Sequence, residues 1–114
     1  MRELLKKIIN ERTKLDTVLL LNERTKELSI EHWTKTTSAS KDYIEIFRLD
    51  SDIPKNWELE DSEGDETYVQ DLPENKQDEY ILEVLSNEGV DDTIEEALEK
   101  LGVSESSIEK CLSS

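Results

Sequence analysis

The chain has 114 residues, 34% of them apolar and 38% charged, with a formal net charge of −15. That length suits one domain with a modest core and excludes two full ones. No run approaches the roughly 18 apolar residues needed to span a bilayer, and the first residues lack the continuous apolar stretch of a secretory signal, so a cytoplasmic protein is expected.

Arg2 to about Lys14 is predicted to be a helix. Leu4, Leu5, Ile8 and Ile9 form one apolar stripe, with Arg2, Lys6, Lys7 and Arg12 away from it. This pattern fits a helix packed on a sheet with a solvated charged face. Thr17–Leu21 and Lys26–Trp33 read as a β-hairpin around the polar link Asn22-Glu23-Arg24-Thr25. In the second run Leu28, Ile30 and His32 share one face. A Ser/Thr-rich loop from Thr34 to Ser40 leads to a third strand, Tyr43–Leu49, rich in β-branched and aromatic residues. Simple alternation puts Ile44 and Ile46 on one face and Tyr43, Phe47 and Leu49 on the other. Asp50–Asn56, with Pro54, is a turn. Trp57–Asp61 and Glu66–Gln70 are expected to form a second hairpin around Ser62-Glu63-Gly64-Asp65.

From Pro73 onward the apolar period becomes helical. Pro73 suits a first helical turn. Tyr80, Ile81, Val84 and Leu85 make the first stripe, and Gly89 fits its stop. Asp92 with Glu95 resembles a capping box for a second helix carrying Ile94, Ala97, Leu98 and Leu101. Gly102 ends that helix. Ser104 then caps a last short one, with Val103 placed to staple onto Ile108. The whole reads as a single α+β domain over 1–114. Residues 1–72 supply an N-terminal helix and an antiparallel sheet of three to five strands, and 73–114 an acidic segment of short helices.

The charge is unevenly placed along this plan. Residues 1–48 carry ten Lys or Arg and eight Asp or Glu, net +2; residues 49–114 carry four Lys and twenty-one Asp or Glu, net −17. Solubility needs a magnitude of only about 2 to 8 in a small domain, and the excess destabilises a compact state by self-repulsion. It is either the habit of an acidic proteome or a working surface for a basic partner. The many Lys and the Leu/Ile-rich core favour the working surface.

Residue chemistry argues against an enzyme. His32 is the sole histidine, on a strand, and reads as structural. Cys111 is the sole cysteine, so no intramolecular disulfide or paired-thiolate metal site is available; it reads as a small core residue. Three glycines, at 64, 89 and 102, leave no phosphate-cradling loop. Asp50-Ser51-Asp52 opens like a calcium loop, but Pro54 occupies the third ligand position and Lys55 the glycine position. No cofactor, dedicated metal site, membrane or direct nucleic-acid partner is therefore expected, since phosphate binding requires sustained Lys and Arg.

What remains is fixed negative charge. Glu58, Glu60, Asp61, Glu63, Asp65 and Glu66 belong to the second hairpin. Glu79 and Glu83, Asp92 and Glu96, and Glu95 and Glu99 recur at i,i+4 on helices, one turn apart. Such rows suit the basic groove of a nucleic-acid-binding protein. In composition the chain resembles small acidic proteins of phages and mobile elements that block nucleases or CRISPR effectors, and the immunity proteins of nuclease toxins. An alternative is a protein-interaction module or complex subunit. Tyr80–Leu112 is similar in outline to the three-helix ubiquitin-associated fold, through Gly89-Val90 and Ala97-Leu98. The family's Met-Gly-aromatic loop is replaced here by Glu88-Gly89-Val90, so the resemblance implies no ubiquitin site.

Overall fold

The computed structural model describes residues 2–52, 58–60 and 66–113. It has the expected α+β architecture. Helix α1 (Arg2–Asn10) precedes strands β1 (Asp16–Asn22), β2 (Leu28–Trp33) and β3 (Tyr43–Leu49). Short strands β4 (Glu58–Glu60) and β5 (Glu66–Tyr68) and a 3₁₀ turn (Val69–Asp71) lead to α2 (Glu74–Asn87), α3 (Val90–Lys100) and α4 (Glu105–Ser113). Among the described residues, no helix is long and apolar enough to cross a membrane.

The α1 stripe is buried as its spacing requires. The helix ends at Asn10, short of Lys14, because Arg12 turns inward. Its guanidinium donates to the carbonyl of Ile9 and to Gln77, and pairs with Asp78. The β1–β2 turn also takes more residues than alternation implies. The Asn22 side chain accepts from the N–H groups of Arg24 and Thr25, and Lys26 adopts a left-handed φ of 61°. Strand β2 therefore starts at Leu28. His32 is structural in its contacts: Nε2 donates to the Glu11 carbonyl at 2.7 Å, tying β2 to the end of α1.

The main sheet has the order β2-β1-β3, antiparallel throughout, while β4 and β5 pair in a separate two-stranded ribbon. The expected faces of β3 need correction. Leu19 stands opposite Phe47 but Leu20 opposite Glu45, so Ile46 is an extra residue in a β-bulge. The bulge reverses the alternation. Ile44, Phe47 and Leu49 now oppose Leu21, Leu19 and Thr17 on one face. That inner face meets the helices in one apolar cluster, which includes Leu19, Leu21, Leu49 and residues of all four helices.

Strands β2 and β3 both run antiparallel to β1 and so parallel to each other. Their connection, residues 34–42, must travel from Trp33, opposite Asp16, to Tyr43, opposite Asn22. It crosses the outer face, away from the helices. Arg48, opposite Val18 on that face, reaches the carbonyls of Thr34 and Thr37 at 2.8 and 3.0 Å. Val18 and Leu20 beneath are 0% and 2% exposed and stand outside the main cluster.

Strand β5 stops at Tyr68 rather than Gln70, since the 3₁₀ turn begins at Val69. Pro73 is the N-cap of α2. The predicted cap of α3 is corrected too. The helix begins at Val90 with Gly89 (φ 80°) as its N-cap, and no Asp92 capping box forms. Gly89 thus closes α2 and opens α3. At the far end of α3 a Schellman motif forms around Gly102 (φ 73°). Val103 N–H bonds the Leu98 carbonyl and Gly102 N–H the Glu99 carbonyl. Ser104 caps α4 through the Ser107 N–H at 3.2 Å.

Candidate interaction surface

Helix α3 carries two stripes set by the same period. At about 100° per residue, Asp92, Glu95, Glu96 and Glu99 fall within an arc of about 100°. Ile94 and Leu98, 2% and 1% exposed, lie on the opposite side and enter the core. All four carboxylates are exposed, and none makes an ion pair among the described residues. The stripe is held at both ends, by the Gly89 corner and the Gly102 Schellman motif. Its surroundings carry the same sign: residues 74–113 contain twelve Asp or Glu against three Lys.

Glu79 and Glu83 on α2 are exposed but belong to a different setting. They line an open groove of about 760 Å³ between α1 and α2, whose other wall is Arg2, Lys6 and Asn10 and which also borders Leu82. Glu79 also lies 3.7 Å from Lys76. Basic side chains thus stand across from this pair, and none of the α3 stripe lines the groove. Glu58, Glu60 and Glu66 sit on the paired β4–β5 ribbon. Asp61, Glu63 and Asp65, with Trp57 and the turn around Gly64, lie outside the described residues. The six carboxylates singled out on the helices therefore fall into two settings. The α3 four share a face, and the α2 two share a mixed groove.

A second charged cluster sits at one end of the outer sheet face. The Asp16 side chain is 5% exposed. It accepts from Arg48 Nε at 2.9 Å and from the Ser51 N–H at 3.0 Å, with Lys35 Nζ 3.6 Å away. Lys35 also meets Asp50 at 2.7 Å and Asp52 at 3.3 Å. Arg48 further bonds Glu45 and lies 5.9 Å from the Trp33 ring centroid. Burial pushes the Asp16 carboxyl up, but the Ser51 N–H, the Arg48 guanidinium and the Lys35 charge together hold it at about 2. Lys35 holds Asp50 below its ordinary value as well.

The sequence signal for this cluster is Asp50-Ser51-Asp52, which opens like a calcium loop but lacks its third ligand and its glycine. The cation those carboxylates meet is the Lys35 ammonium. Cys111 is the buried residue of α4, and burial raises its thiol pKa. Among the described residues no three His, Cys, Asp or Glu side chains converge to hold a metal. Comparison with protein-family models, curated proteins and solved structures finds no match to this chain.

Proposed function

We propose that the protein is a non-enzymatic acidic inhibitor, acting in the cytoplasm, that offers the α3 stripe to the basic groove of a nucleic-acid-binding protein, such as a nuclease or CRISPR effector. The observation that carries this reading is the stripe itself. Four exposed carboxylates, unpaired among the described residues, share one face of a helix whose opposite face is anchored in the core. Neighbours one turn apart stand about 6 Å apart at Cβ. Such a row stands in for a run of phosphates in a groove lined with Lys and Arg. Association is then electrostatically steered and weakens steeply with salt.

The alternative, a module docking through apolar helix residues, has less support. Val90, Leu101, Val103 and Ile108 pack against the core cluster, leaving the helices little apolar surface to offer. The two readings separate in one experiment. Proteins are captured from a host lysate on the immobilised chain and eluted with duplex DNA. The inhibitor reading expects elution by DNA, loss of capture between about 50 and 200 mM salt, and loss in the variant Asp92→Lys/Glu95→Lys/Glu96→Lys/Glu99→Lys. A partner that this quadruple variant retains at full strength, with its circular dichroism unchanged, sinks the reading.

A further inference from the structure

The 34–42 crossover has the build of a strap. Apart from Ala39 its side chains are hydroxyl, Lys or Asp, so it brings little apolar surface to Val18 and Leu20 beneath. Its fastening is polar and concentrated near its start. Arg48 bonds the Thr34 and Thr37 carbonyls while its Nε holds Asp16, and Lys35 reaches across to Asp50 and Asp52. At the far end two backbone bonds remain, Tyr43 N–H to the Ser40 carbonyl and Glu23 N–H to the Asp42 carbonyl. The layer below does not depend on it. Leu19 and Leu21 point the other way into the helix-side cluster, and β1 is hydrogen-bonded on both edges. A segment with few buried apolar contacts and exposed hydrogen bonds opens below the global unfolding free energy.

We infer that Arg48, braced by Asp16, is the latch of this strap, and that its release opens residues 34–42 as a unit and uncovers Val18 and Leu20 while the helix-side core stays folded. The device is independent of the α3 stripe. It gives the sheet a second, concealed apolar face controlled by one guanidinium.

Amide hydrogen exchange on the full chain tests this, with trypsin as a second probe because Lys35 and Lys41 lie in the strap. In Arg48→Met, protection of the Thr37 and Tyr43 amides should fall about ten- to a hundredfold, the scale of losing charge-assisted hydrogen bonds. Cleavage after Lys35 and Lys41 should quicken in step, while the amides of β1, which report only the global cost of leaving Asp16 without Arg48, should keep the global denaturant slope. Unchanged strap protection overturns the inference, and so do strap amides that exchange with the same denaturant slope as β1. Should Arg48→Met not fold, the wild-type chain still decides. Strap amides must exchange with little denaturant dependence while β1 amides follow the global slope; a shared slope overturns the latch.

Discussion

Around Asp16, charged groups from the strap, β3 and the turn after it converge and pair with one another, with Asp16 all but removed from water. Along α3, Asp92, Glu95, Glu96 and Glu99 share one face, stay in water and meet no cation among the described residues. Both features come from the same residue types. The difference is what the fold demands of them. A buried carboxylate must be paired, so its partners are fixed by the folded state and removing one leaves an uncompensated charge. An exposed row of like charges is destabilising by a few tenths of a kcal/mol per i,i+4 pair. Beyond Asp92, which the first turn of α3 favours, the fold gains little from the α3 row, and that is the physical ground for proposing that it serves a partner.

The largest effect expected from breaking this contrast is at Asp16. Asp16→Ala leaves Arg48 and Lys35 without their shared buried carboxylate and should cost about 3 kcal/mol in urea denaturation. A cost under about 1 kcal/mol would make the cluster no more than a surface pair. The same group sets an acid limb. Its folded pKa of about 2 lies below the ordinary value of 3.8, so its stabilisation is complete above about pH 4 and is lost as pH falls through 2. Melting curves across that window should show the limb in the wild type and a flatter one in Asp16→Asn.

A middle-sized effect is expected at Gly102. Its φ of 73° is left-handed and an added Cβ would meet nothing within 4 Å. Gly102→Ala should therefore cost about 1 kcal/mol from backbone conformation alone. Partner affinity should weaken with it if the Schellman motif is what holds the stripe rigid. The smallest effect has the opposite sign. Glu95→Lys removes i,i+4 repulsions with Asp91 and Glu99 and puts attractions in their place, so stability should rise by about 0.5 kcal/mol while the proposed binding falls. A variant that loses stability instead would mean that the stripe has a structural partner.

Local patterns carried much of the fold in the sequence. The α1 stripe, the first hairpin, the bounds of β3 and the Gly102 and Ser104 signals are read within a few residues, because period and turn chemistry act at short range. What was not legible depended on distant partners. Alternation has no means of announcing the Ile46 bulge, which exists to keep Phe47 and Leu49 on the helix side. Asp92 and Glu95 had the spacing of a capping box, but the Gly89 corner claims the start of α3 first. In the candidate surface, i,i+4 spacing correctly grouped the α3 carboxylates. It could not place Arg2 and Lys6 across a groove from Glu79 and Glu83. Nor could it bring Asp16 to Arg48, which are 32 positions apart.

The crossover also dictates an order of assembly. The β1–β2 hairpin closes over a short turn, whereas β3 must pair Tyr43 with Asn22 and Leu49 with Thr17 across a much longer stretch of chain. Loop closure of that kind carries an entropy cost before any contact rewards it. The hairpin is therefore the early unit, and β3 joins its free edge only when the strap swings over the face of β1. Arg48 lies on β3 and grips the strap, so the latch closes at the step that completes the sheet, and one side chain records that the chain has passed over the right face.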